Sequence, residues 1–260
     1  MPSTANIHYQ KYSGGERDKT SLILVHGAGG SYLHWPSEIR RLSGENIVAI
    51  DLPGHGASPG EGREGIDAYA RDVIGFMDDL GINQAVIMGH SMGSAIAQML
   101  SLDYPERVKA LILIGTGAKL RVHPKLIHYC SSENTYPQAV SQVMEWAFSA
   151  QADQRLVELA GERMADTSHK VVHKDFLACN AFDIRERVKD IQQPVLVICG
   201  SEDQMTPVRF SQFLIEELPT ANLEIVPSAG HMVMLEQPET VANIIREFIE
   251  ELDSLEKRIA

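Results

Sequence analysis

The chain has 260 residues, 44% of them apolar and 22% charged, with 23 basic against 35 acidic residues and a formal net charge of −12. This length suits one large domain, with or without an insertion, or two small ones, and a core that needs no covalent staples. The acidic surface argues against nucleic acid or anionic membrane as a partner. Cys130, Cys179 and Cys199 lie far apart with no C-x-x-C spacing, so neither a disulfide framework nor a zinc knuckle is indicated. The start "MPSTANIHYQ" has no basic stretch followed by an apolar one, and no run approaches 18 apolar residues. The expectation is a soluble cytoplasmic protein without a membrane span.

Taken in chain order, "NIHYQKYSG" is short and alternating and predicts an antiparallel strand at a sheet edge. Six short apolar runs then predict buried strands: "TSLILVHG" (20–27), "NIVAIDLPG" (46–54), "QAVIMGH" (84–90), "VKALILIG" (108–115), "QPVLVICG" (193–200) and "NLEIVPSAG" (222–230). Their near-continuous apolarity means that both faces are covered. Helical spacing fills the intervals. In 67–81, Ala70, Val73, Ile74, Met77 and Leu80 mark one face before Gly81. Pro207 opens a helix that ends before Pro219, and Val241, Ile244, Ile245, Phe248 and Ile249 stripe the C-terminal one. Strands alternating with helices imply an α/β fold: a mostly parallel, doubly wound sheet.

The rhythm breaks between 117 and 190. No strand is evident there, and "PQAVSQVMEWAFSA", "DQRLVELAGERM" and "HKVVHKDFLACNAF" are helical. The expected organisation is a core of 1–116 and 191–260 with a helical cap of 117–190 roofing the crevice at the strand ends.

The chemistry centres on "MGHSMGSA" (88–95). Gly89, His90, Ser91, Met92 and Gly93 form G-x-S-x-G between a predicted strand and a predicted helix. So sharp a turn needs glycines where a Cβ would clash, and it puts Ser91 at a helix N-terminus that favours negative charge. Ser94 reads as a small packing residue inside the helix. His231 follows the last strand in a Gly-flanked loop, and Asp203 follows the strand before it. The order Ser, Asp, His is that of a hydrolase triad on such a sheet. Asp203 is preferred to its neighbour Glu202 as the acid. His26 and His55 read as structural loop residues, and the His90 side chain is expected to point away from Ser91. No His, Asp or Glu cluster has metal-ligand spacing, and there is neither a G-K-[ST] nor a G-x-G-x-x-G phosphate loop, so no metal and no nucleotide cofactor are expected.

"VHGAGGS" (25–31), "DLPGHGAS" (51–58), "GHSMGS" (89–94), "GSEDQMTP" (200–207) and "AGHMVMLEQPETV" (229–241) together resemble the α/β-hydrolase superfamily over nearly the whole chain. The resemblance implies catalytic Ser91, Asp203 and His231. It implies an oxyanion hole from the backbone N–H of Met92 and of Ala28, with Gly29 as the alternative to Ala28. Ser94 stands where the family usually has a second glycine. A serine hydrolase is expected, first a carboxylesterase acting on a small-molecule acyl substrate. The alternatives are a C–C bond hydrolase of the meta-cleavage type, a cofactor-free haloperoxidase or perhydrolase, and a hydrolase-fold binding protein with weak turnover. His90 stands where meta-cleavage enzymes often carry Asn, and haloalkane dehalogenases need a carboxylate at Ser91. Met144, Trp146, Phe148, Phe176 and Phe182 of the cap, with Met205 and Met232, are candidates to line an apolar pocket.

Overall fold

The computed structural model describes all residues except 1, 2, 5, 6, 17, 18 and 260. Asn6, at the start of the first predicted strand, lies outside the described residues. Among the described residues eight strands form one sheet: β1 (Ser3–Thr4), β2 (Ile7–Ser13), β3 (Ser21–Val25), β4 (Asn46–Asp51), β5 (Ala85–His90), β6 (Val108–Ile114), β7 (Val195–Gly200) and β8 (Ala221–Val226). The order across the sheet is β1-β2-β4-β3-β5-β6-β7-β8. β2 runs antiparallel to β4, and β3 to β8 are mutually parallel. The two-residue β1 pairs outside β2, so the antiparallel strand read from the sequence is next to the edge rather than at it.

The burial of each strand follows its place. β5 and β7 are buried along their whole length, as fully apolar runs require when helices cover both faces. β8 is half exposed, with Ile225 43% accessible, because it closes the other edge. Alternate residues serve two cores. Ile23, Val25, Ile87 and Leu113 pack on one face, while Leu22, Leu24, Met88 and Ile112 pack on the other.

Ten helices accompany the sheet among the described residues: α1 (Ser37–Arg40), α2 (Ile66–Asp79), α3 (Met92–Asp103), α4 (Pro124–Cys130), α5 (Tyr136–Ala147), α6 (Gln154–Ala165), α7 (His169–Ala181), α8 (Val208–Glu217), α9 (Val233–Glu236) and α10 (Pro238–Ile259). The buried stripe of α2 is wider than the periodicity alone indicated. It includes Tyr69 and Phe76, while Ile74 and Leu80 are only partly covered. Helices α4 to α7 form the cap insertion between β6 and β7. A single antiparallel bridge, Lys119 to Asp183, ties the base of that insertion together.

This topology positions the site. From β3 the chain steps to β4 on one side, and from β5 it proceeds through β6, β7 and β8 on the other. The carboxyl ends of β3 and β5 therefore flank the switch point, where open α/β sheets leave a crevice.

Phe76 is fully buried and stacks edge-on against Tyr9 at 5.3 Å. Phe76→Ala is expected to lower the unfolding free energy by about 3–5 kcal/mol in urea denaturation, through lost burial and the cavity left behind.

Candidate active site

β5 runs straight into α3 with one residue between them. Ser91 takes φ 53°, ψ −115°, a left-handed conformation rare for a residue with a side chain. A Cβ on Gly89 would sit 2.2 Å from the Gly93 carbonyl oxygen, and one on Gly93 would sit 2.1 Å from the Val25 oxygen. Both positions must be glycine for β5, α3 and β3 to approach so closely. The Ser91 N–H donates to the Ile114 oxygen at 2.9 Å, which fixes the turn to β6.

Ser94 belongs to the same device, which corrects its reading as a mere packing residue. It is fully buried in the first turn of α3. Its Oγ lies 2.6 Å from the Gly89 oxygen and 3.1 Å from the Ile114 oxygen, and it accepts from the Ile114 N–H at 3.0 Å. A glycine there would leave these polar groups without the hydroxyl.

His231 and Asp203 meet in the loops after β8 and β7. His231 Nδ1 is 2.8 Å from Asp203 Oδ2. A carboxylate only accepts, so Nδ1 carries the proton of that bond. Nε2 is buried and has no hydrogen-bond partner among the described residues. Asp203 also accepts from the N–H groups of Met205 at 2.9 Å and Thr206 at 2.7 Å, and from the Thr206 hydroxyl at 2.7 Å. Burial alone would raise its pKa. The adjacent His231 and the Thr206 donors outweigh that and hold it below the usual carboxylate value. Glu202, the rival acid, is only half buried and makes no bond to His231.

Ser91 and His231 share the walls of two cavities. One, of about 500 Å³, is lined by Ala28, Trp146, Phe176 and Met205 among others. The second, of about 40 Å³, is small and mainly apolar, with Met144, Met205 and Met232 in its wall. Phe148 and Phe182, also candidates from the sequence, are instead buried in the two cores. Ala28 lines both cavities, and its N–H has no acceptor among the described residues. Met92 is the first residue of α3, so its N–H has no acceptor within the helix. The Gly29 N–H, by contrast, donates to Asp175 at 2.9 Å and is not free for an oxyanion.

The remaining histidines divide clearly. His26 donates from Nδ1 to the Gly27 oxygen and accepts at Nε2 from the Leu52 N–H, so it is a neutral buried strut. Burial and the neighbouring His55 push its pKa well down. His90 does not point away as expected. It lines the small cavity beside Ser91, its ring lies 4.8 Å from that of His231, and its Nε2–H donates to the His231 carbonyl at 3.1 Å.

Asp175 is a buried carboxylate next to the site that the sequence reading missed. It sits on α7 of the cap, wholly buried, on the apolar face that includes Val171, Val172, Phe176 and Cys179. It accepts from the Gly29 N–H at 2.9 Å, from His55 Nε2 at 2.8 Å and from the Tyr69 hydroxyl at 2.5 Å. The cap is thereby bonded to the loop that carries Ala28. A lone acid at helical spacing within an apolar stripe was the available signal. Burial pulls the His55 pKa down, but the charge and hydrogen bond of Asp175 prevail and raise it.

The family model described as "Alpha/beta hydrolase family" matches residues 22–244, and the chain belongs to that family. It is 29% identical to 3-oxoadipate enol-lactonase 2 of Acinetobacter baylyi, over 86% of each protein. It is 28% identical to the 2-hydroxy-6-oxononadienedioate/2-hydroxy-6-oxononatrienedioate hydrolase of Burkholderia vietnamiensis, over 94% of this chain and 90% of that protein. Among solved structures it is similar to that of a thermophilic esterase, with TM-score 0.82 and 30% identity over 95% of this chain and 94% of the other.

Replacing Asp175 by Ala strands His55 and Tyr69 in the interior and is expected to lower stability by about 3–5 kcal/mol. Because the folded-state His55 pKa is raised, the contribution of the pair is complete below the unfolded value near 6.5 and is lost as pH rises through the folded value. Urea denaturation of wild type and Asp175→Ala across pH 6 to 9 should show the gap narrowing upward.

Proposed function

We propose that the protein is a serine hydrolase of small organic substrates, with Ser91 as nucleophile, His231 as general base and acid, and Asp203 as the residue that orients His231. The observation that carries this is His231, held by Asp203 and with an unpartnered Nε2, sharing two cavities with Ser91. A neutral serine hydroxyl is a weak nucleophile and needs an adjacent base. His231 Nε2 takes the Ser91 proton as Oγ bonds to the substrate carbonyl carbon. Asp203 stabilises the imidazolium so formed without itself taking the proton. The oxyanion is received by the N–H groups of Met92 and Ala28, each such donor being worth about 3–4 kcal/mol in comparable sites. His231 then protonates the departing group, and water repeats the sequence to free Ser91. The division into a small apolar cavity and a larger one supports a substrate with one short arm and one longer arm meeting at the carbonyl.

The same machinery serves lactones, esters and the C–C bond of a diketone-like substrate, which differ in what leaves. A plain carboxylesterase is not the reading the relatives favour. A lactonase and a dienedioate hydrolase each match most of the chain at about the identity of the thermophilic esterase. We therefore set lactone and C–C cleavage beside simple ester hydrolysis.

A panel of lactones, ring-cleavage diketones and p-nitrophenyl esters, assayed with wild type and variants, tests the proposal. Ser91→Ala and His231→Ala should each lower kcat by at least about 10⁴-fold, and Asp203→Asn by a similar factor. Wild-type turnover in Ser91→Ala would exclude the mechanism. The ranking of kcat/KM over the panel decides among the bonds.

A further inference from the structure

The protein is strongly acidic, yet the described residues lining the larger cavity include no carboxylate and two arginines, Arg121 and Arg209. Arg121 lies on the segment leading from β6 to α4, and Arg209 in the first turn of α8. Both are exposed, which puts their guanidinium groups at the solvent end of the cavity that reaches Ser91 and His231. They also line an adjoining groove together with Lys119 and Arg185.

The four cations differ in one respect. Lys119 and Arg185 both bond the same carboxylate, Asp183, at 2.6 and 2.8 Å. Arg121 and Arg209 have no carboxylate partner among the described residues, although 35 acidic residues are available to the chain. Arg209 instead lies 5.1 Å over the ring of Phe210, itself a wall of the cavity. Cations without internal partners at the mouth of a catalytic cavity reverse the local field of an acidic protein and draw in anions. Guanidinium forks pair with carboxylates in two parallel hydrogen bonds.

We propose that the substrate carries a carboxylate, and that Arg121 and Arg209 receive it at the mouth while the scissile carbonyl lies at Ser91. This rests on the Ser91 reading above and gives that reading its substrate class, an anionic lactone, ester or ketone. Arg121 and Arg209 are specificity residues and take no part in the bond-breaking steps.

The test uses substrates matched except for charge. p-Nitrophenyl valerate and mono-p-nitrophenyl glutarate differ by a terminal methyl against a carboxylate on the acyl side. Butyl butyrate and 4-butyryloxybutanoate place the same difference on the alcohol side. Wild type should favour the anionic member of at least one pair by roughly tenfold in kcat/KM, as charge-assisted hydrogen bonds imply. That ratio should collapse in Arg121→Gln/Arg209→Gln, survive in part in Arg121→Lys/Arg209→Lys, and shrink in high salt. Equal kcat/KM within both pairs, or a preference that persists in the double Gln variant, would overturn the proposal. Calorimetric binding to Ser91→Ala of the p-nitroanilides that correspond to the acyl pair separates the two readings. Charge-selective binding without Ser91-dependent turnover would remove the Ser91 mechanism alone. Ser91-dependent turnover without charge selectivity would remove the arginine proposal alone.

Discussion

The site depends on one sharp turn, from β5 through Ser91 into α3. A left-handed serine costs about 1–3 kcal/mol and persists only where the surroundings over-determine it. Here they do. Ten of the twelve residues of α3 are buried, Ser94 is bonded to Gly89 before the turn and to Ile114 of β6, and the Ser91 N–H is held by Ile114. Burial on that scale exceeds the local strain several times over. Every other feature is placed relative to this turn. The loop after β3 lies against it, with Gly27 so near that an added Cβ would come within 3.2 Å of the Ser91 Cβ. The loop after β8 brings His231 to the same cavities.

Two of the buried carboxylates then organise the loops on either side of the turn. An ionised carboxylate in the interior is tolerated only when its oxygens are well supplied with donors. Asp203 gathers Met205, Thr206 and His231, which stiffens the loop after β7 and fixes the imidazole. Asp175 gathers Gly29, His55 and Tyr69, which fastens the cap to the loop after β3. The second consequence bears on the proposed oxyanion hole. By engaging the Gly29 N–H, Asp175 takes that donor out of use, while the Ala28 N–H has no acceptor among the described residues.

Much of this was legible in the sequence, for physical reasons. The buried strands stand out because a parallel sheet covered on both faces demands unbroken apolar runs, as in Val195 to Gly200. G-x-S-x-G stands out because the turn forbids a Cβ at Gly89 and Gly93. What stayed hidden depends on contacts between distant segments. Asp175 looks like any polar residue until α7 packs over Gly29, 146 positions away. Ser94 looks like filler until β6 comes alongside. The short α4 lacked a long enough periodic stretch to be recognised. The His90 ring turns toward His231 because the His231 carbonyl is there to accept from it, a partner 141 positions away.

The site thus combines a strained serine, an imidazole with one nitrogen free, and a cavity whose mouth is cationic on an acidic protein. The most direct measurement of the proposed chemistry is to quench the enzyme during turnover of an activated ester and locate the acyl group by peptide mass mapping. An acyl mass increment on Ser91, within the peptide containing "GHSMGS", and its absence in Ser91→Ala, is the predicted result. Full-rate turnover with Ser91 unmodified, or an acyl group carried on another residue, would contradict it.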